Sequence, residues 1–408
     1  MSLKLEELHE ASLSELVTVA EAAGVESAAH LRRGELVYAI AQKRARASGV
    51  ELGRGVLDVH GEGFGFLRSA ADNYLPGAGD IYVSQSQIRR FKLKTGDTVV
   101  GHVRPPKEGE RYTALLRVES VNGEPPGIES PSFDALTAIY PDDRIPLERD
   151  AFLRPFDMAS PMGLGQRGIL VAPSRTGRVE ILRRLADVMT QDDELEVTVL
   201  LIDERPEEIQ EWRRSSRAEV IATPFDEQPA HHIQVADIVF ERARRLVERG
   251  DDVVLIVDSL TRLLRACMAE LPGTGRDMGG GVDASSLHRI RRYMGAARAL
   301  EEGGSLTVIG VVSGDPGNLV DLALLDDLRD VVNWEATLSR DLADRGIRPP
   351  LDVHRSGTRR AERLVGEAGT SERAQWRAGL TGDPVEDGAA VVELTQKAHL
   401  DSVASTGQ

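Results

Sequence analysis

The chain has 408 residues, with 66 acidic against 50 basic side chains and a formal net charge of −16. That balance excludes a protein that coats nucleic acid with its whole surface, so any such partner must be met by a local patch. A single cysteine, Cys267, excludes a disulfide framework within the chain and a multi-cysteine zinc site.

Residues 1–48 read as a helical domain. Leu3, Leu5, Leu8, Leu13, Leu16 and Val17 recur at helical spacing, Ser12 or Ser14 can cap a second helix, and Gly24 can end it. Met1–Glu10 is charged and lacks the apolar core of a secretory leader. The longest apolar runs, such as Val197–Ile202 and Val253–Val257, are strand-length, too short for a bilayer. A soluble, cytoplasmic protein is expected, with no membrane partner.

From Gly53 the pattern changes. "GVLDVHGEGFGFLRS", "GDIYVSQSQIRRF", "GDTVVGHVRPP" and "RYTALLRVESVNG" read as short strands divided by Gly and Pro, which predicts a small β-barrel over 52–122. "GEPPGIESPS", 123–132, reads as a linker. Phe64 and Phe66 in "GFGF" fall on one face of a strand, and Tyr82 and Tyr112 can join them. Between residues 83 and 112, Arg89, Arg90, Lys92, Lys94, Arg104, Lys107 and Arg111 outnumber Asp97, Glu108 and Glu110. Aromatic faces in a basic surround stack the bases of single-stranded nucleic acid. The competing reading is that both phenylalanines are barrel core.

From about Phe133 to the end, apolar strands at Val197–Ile202, Val253–Val257 and Ser305–Val312 alternate with helical stretches, the clearest being His232–Arg249 and His288–Glu302. This predicts an α/β domain on a parallel sheet. "VAPSRTGRVEIL", 171–182, follows a strand and opens a helix, as a phosphate loop does. Ala172 and Gly177 keep the frame of that motif, but Arg178 and Val179 stand where it has Lys and a hydroxyl for Mg²⁺. Two further strands end in Asp203-Glu204-Arg205 and Asp258-Ser259. Acids there can hold Mg²⁺ or orient the attacking water, or can simply cap a turn.

The motifs "GVLDVHGEGFGFLRS", "DIYVSQSQIRRF", "RPPKEGERY", "LLIDERPEE", "GGVDASSLHR" and "HRSGTRR" occur in this order over nearly the whole chain. Together they resemble the bacterial transcription termination factor Rho family. The resemblance implies a hexameric RNA-dependent ATPase and helicase, with a RecA-like core and a cold-shock-type RNA-binding barrel. It implies a single-stranded RNA site at Gly63, Phe64, Gly65, Phe66, Leu67, Arg68, Asp80, Ile81, Tyr82, Glu110, Arg111 and Tyr112. It implies an ATP site at Gly163, Leu164, Gly165, Gln166, Arg167, Gly168, Arg175, Thr176, Gly177, Arg178, Val179, Glu180 and Arg205, with Glu204 as catalytic carboxylate and Asp258 as the Mg²⁺ aspartate. Arg359 matches an arginine finger that reaches the neighbouring subunit, and Arg276 stands for a lysine in a pore loop at about 273–281 that touches RNA.

The departures from the family cluster at ATP and translocation positions. Besides Arg178 and Val179, the second RNA loop, Ser313–Asp321, has no lysine, with Leu319 a loose counterpart. Gly346 replaces an interface arginine, and Arg348 replaces an adenine-stacking aromatic. Arg175 and Arg178 can still clamp phosphate. Two functions are therefore carried forward. One is a termination factor with impaired ATP hydrolysis. The other is a non-hydrolysing RNA-binding paralogue, in homohexamers or in mixed hexamers with an active Rho. RNA polymerase is a further partner under either.

Overall fold

The computed structural model describes residue 8 and residues 11–128, 130–270, 282–315 and 317–406. Arg276 and its loop, 273–281, lie outside the described residues. The chain divides into two compact units, one running to Asp134 and including Gln234–Arg249, the other comprising the rest. The sequence reading kept all of 133–408 together. Segment 234–249 groups instead with the first unit, where Glu248 accepts the Phe133 N–H at 2.7 Å.

The first unit begins with helices Leu13–Ala22 and Arg33–Ala47. Ser12 is the cap of the first: its hydroxyl accepts from Glu15 N–H while the Glu15 carboxylate accepts from Ser12 N–H. Such a reciprocal box satisfies two N–H groups that the first turn leaves open. Leu8, Leu16, Ala20, Leu36 and Ile40 form a small core of their own.

A closed five-stranded barrel follows: β1 (Leu52–Val59), β2 (Gly65–Arg68), β3 (Ile81–Val83), β4 (Thr98–Arg104) and β5 (Thr113–Val121), in the order β1-β2-β3-β5-β4. The period-2 alternation sends Leu57, Leu67, Ile81, Val83, Val99, Leu115 and Val118 inward. One expectation fails here. "DIYVSQSQIRRF" is strand only as far as Val83, and Gln85–Phe91 is a helix. Ser84 and Gln87 form a capping box, a local start signal that outweighs the expectation of continued strand.

The second unit carries β6 (Ala138–Ile139), β7 (Arg144–Ile145), β8 (Met162–Gly163), β9 (Arg167–Val171), β10 (Leu195–Glu204), β11 (Glu219–Pro224), β12 (Asp252–Asp258), β13 (Arg298–Leu300), β14 (Ser305–Val312), β15 (Trp334–Leu338) and β16 (Leu351–Thr358). The main sheet runs β11-β10-β12-β14-β9-β15-β16, parallel except for β16. The expected helix over His288–Glu302 stops at Gly295. Residues 298–300 turn back as β13, antiparallel to β14, through Gly303 and Gly304, both at positive φ. The helical periodicity ends at Met294, and the Gly-Gly pair supplies the hairpin.

Candidate RNA surface and nucleotide site

On the barrel, burial argues against the core reading of "GFGF". Gly65 and Leu67 are buried, while Phe64 and Phe66 are half-buried on the other face. β2 starts at Gly65, where a side chain would strike the β1 backbone, since a Cβ there would lie 2.7 Å from Asp58 O. Phe66 pairs across the ladder with Tyr82, which is 36% exposed. The Phe66 ring centroid lies 4.9 Å from Tyr112, 5.8 Å from Phe64 and 6.0 Å from Tyr82. His60, which the motif reading missed, stacks on Phe64 at 5.3 Å and 9°. Its signal was present: four residues before Phe64, across a Gly-rich turn, in "HGEGF".

The other residues selected on the barrel divide by depth. Leu67 and Ile81 are core, so their side chains cannot contact RNA. Arg68 is also buried, ion-paired with Asp80 and, at 3.0 Å, with Asp58. Its guanidinium lies 5.0 Å from the Phe66 ring centre and supports that ring from within. Gly63 turns the chain at φ +87°. Glu110 bridges to Arg104 at 2.6 and 2.9 Å. The Arg104 hydrogen bonds, with one from Lys107 N–H, hold its carboxyl at about 2. Arg111 lies over the Tyr112 ring at 5.3 Å, and Arg89, Arg90, Lys92 and Lys107 are exposed.

In the second unit, β9 delivers the chain to the loop 172–177, and the helix Arg178–Met189 leaves it. Gly177 sits at the helix N-cap with φ +77°, a conformation glycine tolerates best, and no side chain caps the first turn. Its free N–H groups face the loop, the arrangement that binds phosphate. The loop's hydroxyls are committed elsewhere. Thr176 Oγ1 donates to Pro173 O at 2.7 Å, and Ser174 Oγ donates to Asp315 Oδ2 at 2.7 Å. Val179 packs against the core.

Arg178 is likewise committed. Its Nε lies 3.1 Å from Asp258 and its Nη2 3.5 Å from Glu204. A β-bulge at Asp203, with φ +56°, ends the regular β10 ladder and sets the direction of Glu204. Glu204 also accepts from Arg262 at 2.7 Å and from Arg205 N–H at 3.0 Å. Burial raises the pKa of Asp258, which is 1% exposed, against the opposing pull of Arg178 and Arg262. Burial also lowers that of Arg262, but the Glu204 hydrogen bond and charge outweigh it and the net shift is upward. Arg262 was missed in the sequence; its signal is position, one helical turn past Asp258. The expected phosphate clamp is thus half realised. Arg178 is tied to carboxylates, whereas Arg175 and Arg205 are exposed and form no ion pair among the described residues. Glu180 is held by Arg348 at 2.8 Å and Arg184 at 3.5 Å.

The remaining expected residues are not beside the loop. Gly163, Leu164, Gly165 and Gln166 are buried ahead of β9, and Arg167 and Gly168 begin that strand. Arg167 donates to Val331 O and Ala297 O, and burial followed by the charges of Arg298 and Arg359 lowers its pKa. Arg359, exposed, donates through Nη2 to Arg329 O and through its N–H to Asn333 O. Asn333 in turn accepts from Arg167 N–H at 2.8 Å. Since β9 spans about 13 Å at about 3.3 Å per residue, Arg359 lies one strand length from its own chain's phosphate loop.

Three family models match the chain. The Rho termination factor N-terminal domain matches 7–49 and the Rho termination factor RNA-binding domain 53–127. The nucleotide-binding domain of the ATP synthase alpha/beta family matches 153–358. Transcription termination factor Rho of Escherichia coli (strain K12) is 44% identical over 372 residues, 89% of each chain. Rho of Pseudomonas aeruginosa is 43% identical over 374 residues, 90% of this chain and 89% of its own. The chain belongs to the Rho family.

A solved ATPase from the type III secretion system of pathogenic bacteria matches this Rho-family chain in fold, with TM-score 0.53 and 21% identity over 65% of this chain and 81% of that one. Among the described residues no helix is long and apolar enough to cross a membrane. The Rho-family nucleotide fold implies Mg²⁺, and the residues present do not fit that ion. The position from which the motif's hydroxyl holds the ion is Val179, and Asp258 faces a guanidinium. No group of three His, Cys, Asp or Glu able to hold a metal occurs among the described residues.

Proposed function

We propose that this Rho-family chain is a termination factor that binds single-stranded RNA on the aromatic face of its barrel and ATP at the loop 172–177, with hydrolysis reduced to a small residue. It assembles as a ring, in homohexamers or in mixed hexamers with an intact Rho, and acts on transcripts emerging from RNA polymerase. The observation that carries this reading is the Arg178 guanidinium seated between Glu204 and Asp258.

Phosphoryl transfer depends on positioning and on charge stabilisation of the transferring group. A lysine presents a compact charge to phosphate, whereas a planar, wider guanidinium does not substitute for it in a tight loop. Here that guanidinium also engages the two carboxylates matched to catalysis. Arg175, Arg205, the helix N-terminus and the Arg178 N–H groups not turned to the carboxylates remain as phosphate donors, which favours binding over turnover. Losing one transition-state donor costs about 10²–10³ in rate.

The test is RNA-stimulated phosphate release from the wild-type protein and from Arg178→Lys/Val179→Thr. The wild type is expected near background and the double variant well above it. Robust RNA-stimulated hydrolysis by the wild type would refute the reading.

A further inference from the structure

We infer that Arg178 is a built-in counter-ion standing in for the divalent cation, so that this site binds a nucleoside triphosphate without Mg²⁺. This deepens the proposed nucleotide reading and rests on it.

The argument is one of charge and room. Two guanidinium groups, Arg178 and Arg262, meet two carboxylates, Glu204 and Asp258, so the groups in contact balance in charge, with Glu208 and Asp203 acting on them from further out. Neither Asp258 oxygen accepts a hydrogen bond among the described residues, yet the Arg178 Nε is 3.1 Å away. In a nearly dry site this is charge compensation at short range. A metal would have to displace Arg178 and leave that guanidinium, 21% exposed, without its partners. It would gain no hydroxyl ligand from the head of the helix in return, because position 179 is valine.

Guanidinium has five N–H donors in a fixed fork. Two carboxylate contacts leave others for a phosphate oxygen at the start of the helix Arg178–Met189. Arginine pairs with phosphate through such charge-assisted bonds without a metal. The residue that blocks the metal can therefore do the metal's electrostatic work, supplying one positive charge where the ion supplies two. That difference accounts for binding retained and catalysis lost.

The test is binding of N-methylanthraniloyl-ATP to the full chain with single-stranded RNA, by fluorescence, in excess Mg²⁺ and in excess EDTA. The wild type is expected to bind with the same affinity, within about twofold, in both. Arg178→Ala should weaken binding at least tenfold in both. Arg178→Lys/Val179→Thr should become at least tenfold tighter with Mg²⁺ than with EDTA. Wild-type binding that needs Mg²⁺ by tenfold or more would overturn the inference and leave the nucleotide site standing. Binding by Arg178→Ala equal to wild type would overturn it likewise. No binding in either buffer would overturn the nucleotide reading itself, and the inference with it.

Discussion

Phe66→Ala separates RNA binding from barrel stability. The Phe66 ring is half-buried, points away from the barrel core and meets Tyr112, His60, Phe64 and Tyr82 at centroid distances of 4.9, 5.5, 5.8 and 6.0 Å. Removing it deletes one stacking platform, about 1–3 kcal/mol per base. At about 1.4 kcal/mol per decade, that is a loss of about 5- to 150-fold in affinity. The platform around it should also loosen, because Phe66 is the ring all four neighbours share. Its neighbour Leu67 faces the opposite way and is 2% exposed in the core. Leu67→Ala should therefore cost about 2–5 kcal/mol of stability, while Phe66→Ala shifts the melt little. Anisotropy with a labelled pyrimidine-rich RNA reads the first effect, and thermal or urea unfolding reads the second. If Phe66→Ala binds RNA like wild type, or melts the barrel as Leu67→Ala does, the ring is structural and the surface has been misassigned.

Two further outcomes follow from buried groups. Asp80→Ala leaves Arg68, itself 3% exposed, with Asp58 and the His60 Nε2 at 3.3 Å, and should lower stability by up to about 3–5 kcal/mol, the cost of breaking a buried pair; a denaturant midpoint within error of wild type would contradict it. His232 is 5% exposed with Nδ1 2.7 Å from Thr223 Oγ1, and burial lowers its pKa below the ordinary 6.5 against the raising effect of Asp203 and Glu227. The unfolded chain takes up that proton first, so the contribution of His232 is whole above pH 6.5 and is lost as pH falls toward its depressed folded value. Midpoints measured from pH 8 to pH 5 should fall more steeply for wild type than for His232→Gln, and parallel slopes would rule His232 out.

Much of the fold was legible because each element announced itself locally. The barrel strands alternate with a period of two, the sheet strands are near-continuous apolar runs, and Ser12 and Gly24 bound their helix. Where the reading failed, two local signals competed. "SQSQIRRF" carries both the end of a strand and a capping box, and the box prevailed. "ALEEGG" continues a helix by composition but makes a hairpin through its glycines. The site was legible by motif and not by partner. The sequence located Arg178, Glu204 and Asp258 in three separate stretches. Only the sheet order, with β10 beside β12 and β9 two strands from β12, brings the guanidinium onto both acids. Spacing along the chain also could not show that Gly163–Gly168 and Arg359 lie at the opposite end of β9 from the phosphate loop.

That division of labour makes the chain two-faced. On the proposed reading, seated head to tail between subunits with intact loops, it would offer one neighbour Arg359 and present to the other a loop with little hydrolysis of its own. One copy would silence the junction on its loop side and spare the junction on its arginine side. A ring carrying it would then have a direction to its defect, and its output would step down with each copy admitted. The ratio of this chain to an intact partner would thus set termination activity in grades, as a dimmer sets a lamp, with no change in the total number of rings.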